Sequence, residues 1–266
     1  MPSIAAHYYF GQETARLVKA GNPEMDQVIE QNKSAFDLGL QGPDLLFYFK
    51  PYTRNRITAM GSDMHWQPAA NSIEPAVQKI REAGQDGKAM AYLLGYTCHF
   101  ILDSSLHGEI AENAPDMRAH FSLEAEIDRQ IIQWNYSPRP QAFKRHRFVQ
   151  NGIKDIDFLK LIYPGVEMRE LKKCMKGFVF YIKLLTCKNE MKKKLLENLE
   201  ALIYKESPFT AMIVDKRANK AYRDLAEQLC KKMKTILPEG VIALENVYAS
   251  VRYAEPLSGI FHKNFE

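Results

Sequence analysis

The sequence contains no apolar run as long as the roughly 18–20 residues that a membrane-spanning helix needs. Its longest apolar stretch, residues 89–106, carries His99 and Asp103. The first residues also lack the basic region and the apolar core of a secretion signal. The composition therefore argues against an integral membrane protein, and we expect an intracellular, cytoplasmic location.

Cysteine is scarce, and its four copies, Cys98, Cys174, Cys187 and Cys230, lie far apart. They form no Cys-x-x-Cys pair, so the sequence offers neither a thiolate zinc site nor a dithiol redox motif of that kind. A chain of 266 residues can also bury a core without disulfides. We therefore expect reduced thiols, in the core or at the surface.

The alternating apolar pattern of β-strands is missing as well, and we find no internal repeat. Helical spacing recurs instead, as in Phe178, Tyr181, Ile182 and Leu185, which follow the i, i+3, i+4, i+7 pattern of a core-facing helix. The fold class predicted is all-α. Two helices carry most of the unusual residues, at about 88–110 with Asp86 as its cap and at about 116–135. Further helices are predicted at 25–38, 72–83, 155–163, 167–187, 189–204, 210–236 and 239–253, and a long loop at 51–68.

The two halves of the chain differ in charge. Residues 1–135 hold 11 Lys and Arg against 17 Asp and Glu, whereas residues 136–266 hold 25 against 15. The acidic half suits bound cations, and the basic half is compatible with phosphates or with peripheral contact to an anionic membrane. Lysine runs such as Lys192-Lys193-Lys194 are also typical of solvated helix faces.

Pro138 and Pro140 break the chain between these halves. Each half alone offers few faces against which its helices can be buried. We therefore favour a single helical domain over residues 1–266, with a metal-binding core at about 5–128 and a basic helical half at about 141–266.

Histidines and carboxylates recur at helical spacing in the first half. His99, Asp103 and His107 are four residues apart, so they share one stripe of the predicted helix and span about 12 Å. His120 and Glu124 repeat the four-residue step on the next helix. Imidazole nitrogens and carboxylate oxygens are zinc ligands. Because the stripe crosses an otherwise apolar helix, where unpaired ionisable groups are costly to bury, we favour metal binding over chance surface polarity.

The combined pattern resembles the zinc-dependent phospholipase C family. The resemblance rests on Gly42-Pro43-Asp44, Met64-His65, the segment from Gly95 to His107, and His120-x-x-x-Glu124. The opening Ala6-His7-Tyr8-Tyr9-Phe10-Gly11 also resembles the N-terminal motif of intracellular members. The resemblance to the family covers about residues 5–128. It implies a multi-helix bundle like that of phospholipase C and the single-strand-specific zinc nucleases.

The family arrangement implies three metal positions. The first takes Asp44, His65, His99 and Asp103, the second takes His107, His120 and Glu124, and the third takes His7 with Asp103 as a bridge. Secreted members complete the third position with an N-terminal tryptophan, whereas this sequence begins with Met1. We therefore expect two or three zinc ions. Asp128 is expected either to orient a histidine or to be a surface carboxylate.

The ligand set predicts a phosphodiesterase, in which a metal-bound hydroxide attacks phosphorus and Asp44 orients or deprotonates the water. The expected substrate is a phospholipid or another small phosphodiester. Two alternatives remain open. One is a nuclease or phosphomonoesterase on the same scaffold, with nucleic acid as a partner in the first case. The other is a metal-stabilised binding protein that has lost catalysis.

A few other residues stand out. Trp66 follows a predicted ligand and is either at the mouth of the site or in the fold, while Trp134 is expected in the core. Arg145-His146-Arg147 has the composition of a phosphate clamp, but no surrounding motif supports that role. His262 is expected to be idle near an exposed end of the chain.

Overall fold

The structure is a computed structural model, and it describes residues 3–149, 155–203 and 208–266. Over these residues it contains helices and no β-strand, which confirms the predicted all-α fold. No helix in the described ranges combines the length and the apolar character needed to span a membrane. The four cysteines are buried and form no disulfide, as predicted.

The helices of the first half carry the candidate site. They are α1 (Ile4–Gly21), α2 (Pro23–Gln31), α3 (Lys33–Gly39), α4 (Arg56–Trp66), α5 (Ala70–Glu82), α6 (Gly87–Asn113) and α7 (Met117–Asn135). The second half adds α8 (Leu159–Ile162), α9 (Met168–Leu184), α10 (Glu190–Ile203), α11 (Arg223–Thr235) and α12 (Leu237–Tyr253). Short 3-10 turns occupy Gly42–Tyr48, Pro140–Ala142, Arg145–Arg147, Phe209–Met212 and Gly259–His262.

The starts of α6 and α7 follow from local capping. The carboxylate of Asp86 accepts a hydrogen bond from the backbone N–H of Ala89 at 2.9 Å, at the start of α6. The carboxylate of Asp116 does the same for Ala119 at 2.8 Å, at the start of α7. Each cap satisfies a backbone donor that the first helical turn leaves without a partner, which is why these boundaries were readable from the sequence.

The predicted loop at 51–68 was wrong, because α4 lies within it. The side chain of Asn55 caps this helix and accepts from the backbone N–H groups of Ile57 and Thr58, both at 3.0 Å. The buried face of α4 consists of Ile57, Gly61 and His65. Only one of these three is a large apolar residue, so the helical period does not show in a hydrophobicity pattern.

Two other predicted helices were too long. The one at 25–38 is divided at Asn32 into α2 and α3. The one at 210–236 begins as a helix only at Arg223. Between the turn Phe209–Met212 and α11, the carboxylate of Asp215 accepts from the backbone N–H of Lys216 at 2.6 Å. Such local side-chain bonds compete with helix formation.

Helix α6 runs through the centre of the molecule. Its residues from Ala89 to Asp103 are buried on every side, with α3 and α12 packed against it. Two glycines, Gly95 on α6 and Gly39 on α3, allow the backbones of these helices to touch. A Cβ on Gly95 would lie only 2.2 Å from the carbonyl oxygen of Phe36. A Cβ on Gly39 would lie 2.1 Å from that of Tyr92. Buried apolar residues from Ile4 to Phe265 form one continuous cluster around α6.

Candidate metal centre

Five elements contribute side chains to one region around α6. This helix supplies His99, Asp103 and His107, which are 0%, 4% and 2% exposed. The other predicted ligands come from α1 (His7), the 3-10 turn (Asp44), α4 (His65) and α7 (His120 and Glu124). The structure therefore brings all eight predicted residues to the stripe on α6.

The carboxylate of Asp103 lies at the middle of the first group. Its Oδ1 is 3.2 Å from Nε2 of His7, and its Oδ2 is 3.1 Å from Nε2 of His99 and 4.0 Å from Nε2 of His65. The next carboxylate, Asp44, places Oδ1 3.1 Å from Nε2 of His65. The ring of His7 stacks on that of His99 with centroids 4.1 Å apart. The two oxygens of Asp103 therefore face different histidines.

The second group lies further along α6. Nε2 of His107 is 3.8 Å from Oε1 of Glu124, and Nε2 of His120 is 3.2 Å from the same oxygen. One ligand atom from each of these residues lies within 4.8 Å of the others, the spacing that a single ion requires. Two further triplets meet the same criterion, His7 with His99 and Asp103, and Asp44 with His65 and His99.

Three histidines are held from behind by backbone carbonyls. The Nδ1 atoms of His65, His99 and His107 lie 2.7, 3.3 and 2.8 Å from the carbonyl oxygens of Gly61, Leu40 and Phe265. A carbonyl oxygen can only accept, so each Nδ1 carries the proton of the neutral ring and Nε2 keeps its lone pair. This is the tautomer in which a histidine binds a metal through Nε2.

These lone pairs face carboxylates. Among the described residues, the Nε2 atoms of His65, His99 and His107 find no hydrogen-bond partner, although carboxylate oxygens lie 3.1–3.8 Å away. Two acceptors at that distance repel each other unless a positive charge lies between them. The donor set thus fits a divalent cation, and imidazole with carboxylate is a donor set typical of zinc.

The electrostatics of the site point the same way. Burial opposes the charged form of His107, but Asp103 and Glu124 outweigh it and raise the pKa of the ring to about 10. Burial also favours the neutral form of Asp103, yet His99, His107 and His7 hold its pKa well below the usual range. Burial and the neighbouring His7 lower the pKa of His99. The carboxylates therefore remain charged and draw positive charge to the site, either as a proton on His107 or as a cation that takes the place of that proton.

A glycine allows the turn that carries Asp44 to approach α6. Gly42 has φ +50°, and a Cβ at this position would lie 2.3 Å from Cδ2 of His99. Its carbonyl oxygen accepts a hydrogen bond from the hydroxyl of Tyr163 at 2.9 Å. The turn is thus fixed by a residue far along the chain, and it presents Asp44 two positions after the glycine.

The C-terminal segment contacts the candidate ligands, although no motif in the sequence predicts this. Phe265 is fully buried, and its N–H donates to the carbonyl of His65 at 3.1 Å while its own carbonyl accepts from His107. Its ring lies 5.1 Å from Phe100 and 5.3 Å from His65. The only available signal was an aromatic pair, Phe261 and Phe265, after the last predicted helix. His262 is exposed, as expected, but the segment around it is not idle.

Asp128 is neither bonded to a histidine ring nor at the surface. It is fully buried, and its Oδ1 accepts from the backbone N–H groups of Ala5 and Ala6 at 2.8 and 3.1 Å. Its Oδ2 accepts from Nη1 of Arg145 at 3.1 Å. Burial raises its pKa despite the pull of Arg145. Asp128 therefore fixes the start of α1, immediately before His7. Its ion pair with Arg145 gives that guanidinium a structural role.

Two residues that line an apolar cavity of about 260 Å³ have rings next to candidate ligands. The ring of Phe47 is stacked 5.4 Å from that of His65, and the ring of Phe121 meets that of His120 at 6.1 Å. The cavity is lined by Phe47, Tyr48, Pro51, Thr58, Met117, Phe121, Tyr181, Leu185, Phe209 and Met212. Trp66 is largely exposed and does not line it, and Trp134, predicted in the core, is 55% exposed.

A comparison with protein families found a match. The family described as zinc dependent phospholipase C matches residues 6–162, more than half of the chain. All eight candidate ligands lie within that range. Neither the comparison with curated proteins nor the comparison with solved structures found a match. The extent of the family match shows that this chain belongs to the zinc-dependent phospholipase C family.

Proposed function

We propose that this protein is a zinc-dependent phosphodiester hydrolase that cleaves phospholipids in the manner of a phospholipase C. The observation that carries the proposal is the apolar cavity whose lining residues Phe47 and Phe121 have rings next to His65 and His120. A phosphodiester held at the ligand groups would place an attached aliphatic chain in that cavity. Family membership supports the same reaction class.

We assign the ions as the family pattern implies. Asp44, His65, His99 and Asp103 hold the first, and His107, His120 and Glu124 hold the second. The assignment is supported by the short separations among Asp44, His65 and His99 and among His107, His120 and Glu124, and by the 3.1 Å between Oδ2 of Asp103 and Nε2 of His99. A third position at His7 is supported by the approach of His7 to Oδ1 of Asp103, the oxygen turned away from His99. Zinc at these positions supplies Lewis acidity, which activates water and neutralises charge on a phosphoryl group.

The chain's own residues supply position and proton transfer. The carbonyls behind His65, His99 and His107 prevent the rings from turning, so the ligand atoms stay aimed at the centre. Asp44 is the buried carboxylate that we assign to orienting the attacking water and accepting its proton. The apolar walls beside the site exclude bulk water, which strengthens the interactions of the charged groups.

The cavity also favours a lipid over the alternative substrates. A nucleic acid needs a basic groove along its backbone and aromatic faces for its bases. The cavity beside the ligand groups has no Lys or Arg among the described residues that line it. A phosphomonoester without an aliphatic chain would leave this apolar cavity unfilled. The binding-protein alternative predicts metal and lipid binding without turnover.

A substrate panel tests the proposal. The zinc-loaded protein is assayed with a short-chain phosphatidylcholine, a single-stranded DNA and a phosphomonoester, alongside His107→Ala and His262→Ala. We expect cleavage of the phosphatidylcholine, its loss by at least a hundredfold in His107→Ala, and no change in His262→Ala, whose side chain is exposed outside the site. Cleavage of DNA or of the monoester alone would refute the lipid assignment. Bound zinc without any turnover would refute the enzyme.

A further inference from the structure

A second cavity, strongly basic, lies away from the metal centre. It has a volume of about 560 Å³ and lies between the turn Arg145–Arg147, the end of α9 and the start of α10. Its lining consists of Lys144, His146, Arg147, Lys183, Thr186, Lys188, Asn189 and Lys192. The described residues that line it include no carboxylate. Five full positive charges therefore converge on one concave surface.

The backbone on both sides of this cavity is held in place. On one side, the buried guanidinium of Arg145 donates to Asp128 and to the carbonyl of Met212, both at 3.1 Å. This anchors the turn, while the neighbouring Lys144 and Arg147 remain exposed. On the other side, Nζ of Lys192 donates to the carbonyls of Lys183 and Thr186, at 3.2 and 2.9 Å, and fixes the corner between α9 and α10.

Four of the five cations that line the cavity have no ion-pair partner among the described residues. They are Lys144, Arg147, Lys183 and Lys188. His146 also lines the cavity; it is 7% exposed, and its Nδ1 has no hydrogen-bond partner among the described residues. Burial, then Lys183 and Arg147, lower the pKa of this ring, so the fields of the cations overlap there. Their mutual repulsion is relieved by a bound anion.

We propose that this cavity binds a small molecule or head group that carries two or more phosphate groups. One phosphate monoester brings about two negative charges, fewer than the five positive charges that line the cavity. The volume of 560 Å³ falls in the range of about 300–1,000 Å³ found for ligand sites. Arginine and lysine both bind phosphate oxygens through charge-assisted hydrogen bonds.

The site is distinct from the metal centre. The candidate metal ligands lie on α1, the Gly42–Tyr48 turn, α4, α6 and α7, and none of them lines the basic cavity. Lys183, Lys188 and Lys192 also lie beyond residues 6–162, the range that matches the family. The proposal therefore does not depend on the proposed hydrolase activity.

Titration calorimetry with inorganic triphosphate and with orthophosphate tests the proposal in solution. We expect the zinc-loaded protein to bind triphosphate at least tenfold more tightly than orthophosphate. The double change Lys183→Glu and Lys188→Glu should weaken triphosphate binding at least tenfold. Lys172→Glu with Lys176→Glu provides the matched control, because both lysines are exposed on α9 and neither lines the cavity. Equal binding by the two double variants would overturn the proposal.

Two further measurements complete the test. Triphosphate also coordinates zinc, so the titration is repeated with His107→Ala; a signal lost in that variant and kept in Lys183→Glu with Lys188→Glu refutes the basic site. Lys183→Arg with Lys188→Arg should restore binding, which separates charge from folding. Sedimentation with phosphatidylcholine vesicles, with and without phosphatidylinositol bisphosphate, shows whether the bound phosphate groups belong to a lipid head group or to a soluble molecule. Binding to the bisphosphate vesicles supports a membrane head group, and binding of triphosphate alone supports a soluble ligand.

Discussion

At the scale of single residues, the groups behind the histidines decide whether they can act as ligands. The carbonyls of Gly61 and Leu40 hold the Nδ1 protons of His65 and His99, so Nε2 of each ring is turned toward the carboxylates. The ring of His99 is also held in place by the backbone of Gly42, which lies against it. The geometry of the first ligand group therefore depends on a residue without a side chain.

Replacing Gly42 by alanine should disrupt the first ligand group. The residue has φ +50°, where an alanine costs roughly 1 kcal/mol, and its Cβ would collide with His99 at 2.3 Å. We expect Gly42→Ala to lose at least one zinc ion per chain, as measured by atomic absorption, and to unfold at lower urea concentration.

Gly84→Ala is the control, because it introduces the same kind of backbone strain without a steric collision. Gly84 has φ +77°, but a Cβ there would meet nothing within 4 Å. This variant should lose only about 1 kcal/mol of unfolding free energy and keep its full zinc content. The same zinc content in both variants would contradict the role of Gly42.

At the scale of elements, the ends of helices and of the chain position the site. The start of α1 is tied to Asp128 on α7, which places His7 beside Asp103. The segment after α12 returns to α6 and inserts Phe265 between the rings of His65 and Phe100. Neither contact is local in sequence, so both depend on the packing of helices that lie far apart in the chain.

Removing the carboxylate of Asp128 should destabilise the fold strongly. Asp128→Ala leaves the guanidinium of Arg145 buried without its ion pair, which costs about 3–5 kcal/mol. Urea unfolding measures this loss. Asp116→Ala is the control, because Asp116 also caps a helix but is exposed and pairs with no buried cation. It should cost about 1 kcal/mol, and a similar loss in both variants would show that the buried pair is unimportant.

Truncating the side chain of Phe265 should weaken zinc binding. The ring anchors the carbonyl that holds Nδ1 of His107, and groups that support a metal ligand are worth about 10–100-fold in affinity. Competition with a zinc-binding dye measures the change in Phe265→Ala. His262→Ala in the adjoining 3-10 turn, where the side chain is exposed, should bind zinc normally. Unchanged affinity in Phe265→Ala would remove the C-terminal segment from the site.

At the scale of the whole molecule, one apolar cluster joins both halves of the chain. It includes Ile4 and Leu94 from the first half and Val247 and Phe265 from the second. Seven of the eight candidate ligands, all except His120, are buried against this cluster, so ligand geometry and folding are coupled. We continue to propose a single domain, in which the basic half completes the core around α6.

Zinc removal should therefore lower the thermal stability of the entire chain in a single transition. Binding at a thousand times the dissociation constant contributes about 4 kcal/mol per site, which corresponds to a shift on the order of 10 °C for a chain of this size. Differential scanning calorimetry before and after chelation measures the shift. Two separate transitions, with only one of them responding to zinc, would indicate two domains.

The candidate ligand residues, and two of the four helices that carry them, α6 and α7, could be predicted from the sequence alone. The four-residue steps of His99, Asp103, His107 and of His120, Glu124 are local, and local spacing is visible in one dimension. The resemblance to the family added Asp44, His65 and His7, which no helical step connects to the others.

The surroundings of those residues depend on the packing of the whole chain. The sequence pattern did not predict helix α4, because its buried face is Ile57, Gly61 and His65 and shows no hydrophobic period. Packing against the rest of the chain stabilises this helix. The roles of Asp128 and Phe265 depend on partners more than a hundred residues away. The apolar cavity and the basic cavity likewise join separate elements. Such contacts exist only when the whole chain is packed, because residues distant in sequence meet through the shared core.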